Sequence, residues 1–378
     1  MTEKDTHPSS THPPLPPTSE DDQFSCLRLL RSRRVGIATY QRLLIEHGTA
    51  QNALAALPSV ARAAGVENYQ ACPEDVIHAE LKAGKRVGAA LIFQGSTSYP
   101  AALSELPDAP PFLWAIGETA LLNAPSIAIV GARNASSLGT RMARALARDL
   151  AAEGYVIVSG LARGIDTAAH LASLETGTIA VQAGGVDIVY PAENTGLADD
   201  VARQGLRLSE QPMGLQPMAR HFPARNRIIS GLASATVVVE AAAKSGSLIT
   251  ARDALDLGRD VLAVPGHPFD ARAAGCNHLI RDGATLVRNA ADVIDALAPI
   301  AAKEPELPIT APANSRTLAE TAALHQRILD RLGPAPIAED QLIRDLGAGA
   351  AAVAPALVDL ELAGSISRAP GGLLSRAS

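Results

Sequence analysis

Short apolar runs alternate with longer segments of helical periodicity through the middle of the chain. The run Ile127–Val130 is wholly apolar and mostly β-branched, which is typical of a strand buried on both faces of a parallel sheet. Apolar residues then recur at helical spacing from Leu138 to Leu150. Further strand-like runs are Gly88–Phe93, Val156–Ser159, Ile179–Val181, Thr236–Glu240, Val261–Val264 and Thr285–Val287. This alternation predicts an α/β domain over residues 81–298, built on a doubly wound parallel sheet.

The segments on either side of this domain have different patterns. Residues 1–22 are polar and rich in proline, which predicts a disordered tail. Residues 23–80 carry leucines at helical intervals between glycine breaks, typical of a small helical domain of the sterile-alpha-motif or helix-hairpin-helix kind. Such a unit either grips DNA backbone or mediates protein contacts, and we favour the second. Residues 299–316 contain scattered prolines without periodicity, which predicts a linker.

The last segment, residues 317–378, has the pattern of a winged-helix domain. Helical runs at Leu324–Leu332, Ile337–Leu346 and Val353–Leu362 precede a glycine-rich hairpin. In DNA-binding proteins of this kind the base-reading side chains lie on the third helix, and this third helix has no basic residue. The pattern therefore favours a contact with protein over a contact with DNA.

Glycine-rich loops follow the predicted strands. They are Gly131–Ser137, Gly160–Asp166, Gly184–Asp187, Ser245–Ser247 and Pro265–His267. Ligands of doubly wound sheets bind beyond the carboxyl ends of the strands, so we expect these loops to line one edge of the sheet. Tight turns alone explain some of the glycines.

The first of these loops has the composition of a phosphate site. Gly131 permits close backbone approach, Arg133 adds a full charge, and Asn134 and Ser136 stand just before a predicted helix N-terminus with free N–H groups. The loop matches neither the dinucleotide-binding nor the Walker fingerprint. The alternative is an ordinary strand-to-helix turn with an incidental arginine.

A second cluster of cations lies at Arg220–Arg227, which reads Arg-His-Phe-Pro-Ala-Arg-Asn-Arg. Arginine presents a fixed fork of donors that fits phosphate oxygens. We expect Arg225 and Arg227, together with Arg133 and Arg163, to lie in loops on one side of the sheet. The alternative for the cluster is an internal node of salt bridges.

Charge and composition narrow the possible ligands. The net charge is −6, so any nucleic-acid site must be a local patch rather than a general surface. Aromatic residues make up 3% of the chain, and Tyr190 and Phe222 are the ones near the basic loops, so phosphate contacts should dominate over base stacking. The chain has no membrane-length apolar run, no apolar signal core and no zinc spacing among its three cysteines. We expect a cytoplasmic protein without a cofactor or metal.

Motifs in a fixed order over residues 85–290 resemble the DNA-processing protein A family, also called DprA or Smf. The matching pieces are Val130–Arg133, Ser159–Asp166, Gly184–Asp187 with Tyr190, Pro191 and Asn194, Leu208–Glu210, Phe222–Ile229, Ser245–Thr250, Gly258–Arg259 and Val264–Gly266. The resemblance implies an extended Rossmann-type domain, single-stranded DNA binding and a homodimer. It further implies protection of incoming DNA and loading of the recombinase RecA onto it in natural transformation.

The resemblance also assigns residues to the DNA site. It implies phosphate contacts for Arg133, for Arg225, Asn226 and Arg227, and for Lys244 beside Ser245–Ser247. One position departs from the family, because Ala192 stands where many members carry a DNA-binding lysine after the Tyr-Pro pair. The complete predicted site comprises Gly131, Arg133, Asn134, Ser136, Gly160, Arg163, Gly164, Arg220, Arg225, Asn226, Arg227, Lys244, Ser245, Gly246 and Ser247.

Two other functions compete with DNA binding. A nucleotide-cleaving or nucleotide-binding enzyme of the lysine-decarboxylase-like phosphoribohydrolase type would use Glu240 and the Ser245–Thr250 loop, but no second carboxylate or histidine stands at motif spacing to complete acid–base chemistry. We therefore predict no catalytic residue. A pure scaffold protein would not explain why Arg133, Arg163, Arg225 and Arg227 are all expected on the same side of the sheet.

Overall fold

The computed structural model describes residue 17 and residues 19–298 and 317–377. The predicted linker at 299–316 and most of the predicted tail at 1–22 lie outside these residues. Helix α1, Glu20–Arg31, begins inside the predicted tail because Ser19 and Asp22 form a capping box at its start. The prediction of disorder is therefore wrong for residues 20–22. Residues up to 298 belong to one compact unit and those from 317 to a second.

The first unit begins with a cluster of helices. After α1 come α2, Ile37–His47, α3, Ala50–Ala63, and α4, Glu74–Arg86. Their common core includes Leu27, Leu43, Leu57 and Ile77, and it continues onto Phe93 and Phe112 of the sheet. The helical prediction for this part of the chain is confirmed.

The buried carboxylate of Glu80 in α4 joins these helices to the sheet. It accepts hydrogen bonds from Arg31 at 2.8 and 3.0 Å and from Trp114 Nε1 at 2.9 Å. Arg31 also lies over the Phe112 ring, 4.9 Å from its centroid. A buried carboxylate is tolerated only when it is paired and hydrogen-bonded, so this joint depends on both partners.

Nine strands of the described residues form one sheet in the order β1-β2-β6-β5-β4-β3-β7-β8-β9. They are β1 Ala90–Phe93, β2 Phe112–Gly117, β3 Ser126–Gly131, β4 Val156–Ser159, β5 Thr178–Val181, β6 Leu206–Ser209, β7 Ala235–Val239, β8 Asp260–Ala263 and β9 Thr285–Leu286. Along that order from β6 to β9, each strand pairs in parallel with its neighbour. At the β1 edge, β2 pairs antiparallel with both β1 and β6.

Helices cover both faces of the sheet. They are α5 Ala101–Ser104, α6 Ser137–Ala152, α7 Ile165–Ser173, α8 Thr195–Gln204, α9 His221–Leu232, α10 Ser247–Asp256, α11 Ala274–Arg281 and α12 Ala290–Leu297. Within β3, Ile127 and Ile129 face one core and Ala128 and Val130 face the other. The doubly wound α/β architecture is confirmed, with a nearly all-parallel sheet.

Strands β2 and β6 were not predicted from the sequence. The first follows two prolines and has one β-branched residue, Ile116, so it lacks the pattern of a buried parallel strand. The second is interrupted by Arg207, a buried cation whose Nε donates to Gln182 Oε1 at 2.8 Å. Packing against neighbouring strands, rather than local pattern, makes both segments extended.

The second unit has a winged-helix arrangement. Its elements are α13 Leu318–Arg331, β10 Ile337–Ala338, α14 Glu339–Leu346, α15 Ala350–Leu362, β11 Ile366–Ala369 and β12 Leu373–Arg376. The predicted winged helix is confirmed, except that Ile337 and Ala338 pair with β12 instead of starting the second helix. Among the described residues, no helix is both long and apolar enough to cross a membrane.

Candidate nucleic-acid interface

A cleft of about 730 Å³ lies at the carboxyl edge of the sheet. It is bounded by the loop after β3, the start of α9 and the loop between β7 and α10. A smaller recess of about 260 Å³ adjoins it and shares Arg133, Asn134, Phe222 and Arg225 with it. Predicted site residues that line one or both are Gly131, Arg133, Asn134, Gly160, Arg163, Arg225, Asn226, Lys244, Ser245, Gly246 and Ser247.

Two exposed cations on different loops point to an anionic ligand for the cleft. Arg133 lies over the Phe222 ring, with its Cζ 5.0 Å from the ring centroid. The centroids of the Phe222 and Tyr190 rings are 5.7 Å apart. Lys244 lines the cleft from the loop after β7. Arg272 lines it as well, from beyond the loop after β8, and pairs with Asp270 at 3.1 Å. Arg272 is not among the residues predicted from the sequence, although the glycine-rich strand exit Pro265–His267 just before it was a signal.

Arg225 is buried at the junction of the cleft and the recess. Its Nη1 donates to the carbonyls of Gly160 at 2.6 Å and Val181 at 2.8 Å, which ties the exits of β4 and β5 together. A Cβ at Gly160 would lie 1.8 Å from Nη1, so this close approach requires glycine. Burial lowers the pKa of Arg225 to about 10, and the nearby Asp166 carboxylate opposes that shift. Arg225 therefore shapes the cleft in addition to charging it.

The loop from Gly160 to Gly164 is fixed from within. The Asp166 carboxylate accepts hydrogen bonds from Gly160 N at 3.1 Å and from Ala162 N at 3.3 Å. Burial raises the pKa of Asp166, with Arg225 acting in the opposite direction. Gly164 has φ +74° and packs against the backbone of the β3 loop, so its role is conformational rather than ligand-facing.

The predicted phosphate-binding site at the start of α6 is filled by a carboxylate of the protein itself, that of Glu240. The Glu240 carboxylate accepts hydrogen bonds from Ser136 N at 2.7 Å and from the Ser136 hydroxyl. The same hydroxyl caps α6 by accepting from Gly139 N at 3.0 Å. Because these groups are satisfied internally and Ser136 does not line the cleft, the assignment of Ser136 to the ligand site is corrected.

The cluster at Arg220–Arg227 lies in a helix and not in a loop. Helix α9 begins at His221, and Pro223 is tolerated there because it lies in the first turn. Arg220, at the N-cap, is exposed beside His221 and does not line the cleft. The prediction that these arginines lie in loops is wrong.

Arg227 points away from the cleft. It pairs with Glu210 at 2.5 Å and with Asp108 at 3.1 Å. Burial raises the pKa of Glu210, and Arg227 is the largest influence in the opposite direction. The salt-bridge alternative weighed for this cluster therefore describes Arg227, and its assignment as a phosphate ligand is corrected.

Ala192 and Glu193 lie beside the smaller recess, in a 3₁₀ turn that follows Pro191. Ala192, where a lysine was expected from the resemblance, is exposed. Glu193 forms an ion pair with Arg163, which lines the recess. At this side of the interface the lysine expected at position 192 is absent, and the next residue, Glu193, adds a carboxylate.

Models of three protein families match this chain in succession. Residues 20–83 match the DprA-like N-terminal HHH domain, residues 90–298 match the DNA recombination-mediator protein A, and residues 311–372 match the DprA winged helix domain. The first match favours the helix-hairpin-helix alternative for the N-terminal helices.

Relatives and solved structures agree with these matches. The chain is 48% identical over 198 residues to the DNA processing protein DprA of Streptococcus pneumoniae, covering 52% of this chain and 70% of that one. It is 38% identical over 285 residues to the protein Smf of Escherichia coli, covering 75% and 76%. The S. pneumoniae DprA structure superposes with a TM-score of 0.56 at 42% identity, covering 59% and 77%.

A further solved structure describes the single-stranded DNA binding mode of DNA processing protein A from Helicobacter pylori. It superposes with a TM-score of 0.52 at 32% identity and covers 55% of this chain and 95% of that one. The resemblance seen in the motifs is thereby confirmed. Because the recombination-mediator model spans residues 90–298 and the flanking domains match in order, the chain belongs to the DprA/Smf family of DNA-processing proteins.

Proposed function

We propose that this chain binds single-stranded DNA in the cleft at the carboxyl edge of its sheet and acts as a recombination mediator in natural transformation. The observation that carries the proposal is the convergence of Arg133 and Lys244, from separate loops, with buried Arg225 on one cleft. Cations on separate loops that face one space suit a run of phosphates. The H. pylori relative, whose solved structure describes a single-stranded DNA binding mode, supports the same ligand.

The shape and charge of the interface favour a single strand over a duplex. Arg133, Arg225 and Lys244 line a cleft, which a stiff duplex would not enter, while a flexible strand bends into it. With a net charge of −6 the rest of the chain offers no general attraction for DNA. The Phe222 and Tyr190 rings give a base a surface on which to stack without reading its sequence.

Binding without catalysis is part of the proposal. In the nucleotide-cleaving alternative, Glu240 would attack or deprotonate at the strand exit. The hydrogen bonds from Ser136 to both Glu240 oxygens support a structural role for this carboxylate instead. Incubation with nucleoside monophosphates should release no free base, and released base would favour the enzyme.

The partners implied by family membership complete the proposal. We propose that the chain acts in the cytoplasm as a homodimer, protects incoming single strands and passes them to RecA. Sedimentation of the purified chain measures the dimer, and RecA assembly on a single strand with and without the chain measures loading. A monomer, or assembly that the chain does not accelerate, would contradict these parts.

A titration of labelled oligothymidylate against a duplex of equal length, by fluorescence anisotropy at several salt concentrations, tests the central claim. The single strand should bind more tightly, with an affinity that falls linearly on a log–log plot against salt. Arg133→Ala and Lys244→Ala should each lower the affinity and the salt slope. Equal binding of both DNA forms would refute the preference for single strands.

A further inference from the structure

An acidic side chain engages one of the cations of the interface. Arg163 lines the smaller recess, and its Nε contacts Glu193 Oε1. The two side chains are 59% and 50% exposed, so both are open to solvent and to a ligand. Arg133 differs, because its guanidinium rests on the Phe222 ring.

The backbone holds the two partners of this ion pair close together. Asn194, next to Glu193, is buried, and its Nδ2 donates to the Leu161 carbonyl at 2.8 Å and to Thr167 Oγ1 at 3.0 Å. The Leu161 carbonyl belongs to the loop that carries Arg163. The fold thus holds together the two backbone segments that carry Glu193 and Arg163, which keeps their side chains within reach of each other.

We propose that Glu193 is a built-in competitor of DNA phosphate for Arg163. The inference rests on the proposed single-strand binding and adds a residue that sets its strength. A carboxylate and a phosphate compete for the donors of one guanidinium, so a phosphate that binds Arg163 must either displace Glu193 or share the guanidinium with it. In both cases the Glu193 carboxylate remains near the phosphate and repels it.

This competition distinguishes Arg163 from Arg133 and Lys244. Those two cations are open to a strand on arrival, whereas Arg163 binds a phosphate only against competition from Glu193. Arg272 of the cleft has a carboxylate partner of its own, Asp270. Binding should therefore be weaker, and the salt slope smaller, than the number of cations lining the cleft and recess suggests. The alanine at position 192 leaves this competition without a neighbouring lysine to offset it.

The variant Glu193→Gln tests the inference because it removes the charge and keeps the shape. A second ion pair provides a matched control: Arg203 and Asp200, in α8, are 64% and 37% exposed and lie outside the interface. Asp200→Asn removes the same charge there. Single-strand affinity is measured for both variants by fluorescence anisotropy across a salt series, with thermal unfolding to verify the fold.

Glu193→Gln should tighten single-strand binding by about two- to fivefold, the scale of one exposed ion pair. It should also steepen the log–log salt slope by about 0.7, the value for one added contact on a single strand. Adding Arg163→Gln to Glu193→Gln should abolish this gain. Asp200→Asn should change neither quantity by a comparable amount.

The outcomes separate this inference from the proposed function. If the native chain binds single strands and Glu193→Gln binds no better than Asp200→Asn, the competition is refuted and the proposed function stands. A gain that survives the loss of Arg163 would also refute it, because the effect would then be general electrostatics. Failure of both the native chain and Glu193→Gln to bind single strands would overturn the proposed function, and the inference with it.

Discussion

Replacing Arg227 with alanine should cost stability and leave DNA binding intact. The Arg227 and Glu210 side chains are each 14% exposed, so the change leaves a largely buried carboxylate without its main partner. The second partner, Asp108, is 56% exposed and returns to water at little cost. Breaking a buried pair typically costs 3–5 kcal/mol, and the residual exposure places this one near the lower end, at about 3 kcal/mol.

Thermal unfolding measures the expected loss of stability in Arg227→Ala, and a DNA titration measures its single-strand affinity, which should not change. A loss of about 3 kcal/mol corresponds to a fall in melting temperature of roughly 6–12 °C for a unit of this size. Arg259→Ala is the matched control, since it removes an arginine whose partner, Glu105, is exposed. That control should change stability by less than about 1 kcal/mol.

The pH dependence of the Arg227→Ala effect provides an independent check of the mechanism. Burial raises the pKa of Glu210 in the native chain, and loss of Arg227 should raise it further. A carboxyl whose pKa is higher in the folded than in the unfolded state binds more protons when folded, so stability rises as pH falls through that range. The destabilisation should therefore shrink as the pH falls from neutral toward the ordinary pKa of a glutamate. Glu210→Gln in the same chain should relieve most of it at neutral pH.

One result would refute this reasoning. If Arg227→Ala kept its melting temperature but bound single strands tenfold more weakly, Arg227 would be a phosphate ligand. The assignment of Arg227 to the salt-bridge network would then be wrong.

Further predictions concern the cleft and the second unit. Arg133→Ala should weaken single-strand binding by roughly 1–3 kcal/mol and leave the melting temperature unchanged; a protein that unfolds instead would mark Arg133 as structural. Gly160→Ala should destabilise the chain by about 1–3 kcal/mol and weaken binding, because its methyl group displaces the Arg225 guanidinium; unchanged melting and affinity would contradict that contact. Ala192→Lys should tighten binding and steepen the salt slope by about 0.7; an unchanged affinity and slope in the same titration would show that the DNA does not reach this loop. Deleting residues 317–378 should leave single-strand affinity within tenfold, about 1.4 kcal/mol, and a larger loss in the same titration would show that the winged helix binds DNA.

The central strands were predictable because burial on both faces leaves a local signature. Ile127–Val130 and Val156–Ser159 are apolar without interruption, and each forms a strand of the central sheet. The antiparallel edge has no such signature. Strand β6 contains a buried arginine whose guanidinium donates hydrogen bonds to Gln182 Oε1 and to the Val186 carbonyl, both distant in sequence, and local pattern does not record those contacts.

The edge of the sheet that carries the site was predictable, but the direction of each arginine was not. Topology places the strand exits together, so Arg133 and Lys244 meet as expected. Arg225 and Arg227 are two residues apart. In an extended loop they would share a side, but in a helix two residues turn the chain by about 200°, so they point in nearly opposite directions. The unrecognised helix α9 therefore accounts for the misassignment of Arg227.

The joint at Glu80 limits where this protein can be cut. A fragment that starts at the sheet would leave the Trp114 indole without its acceptor and expose the Phe93 and Phe112 rings that the N-terminal helices cover. Such a fragment should aggregate, however intact its cleft. A severed N-terminal piece would keep Glu80 and Arg31 but lose the aromatic surface on which Arg31 lies. Any design that reuses the proposed DNA-binding cleft of this chain should therefore keep residues 20–298 together.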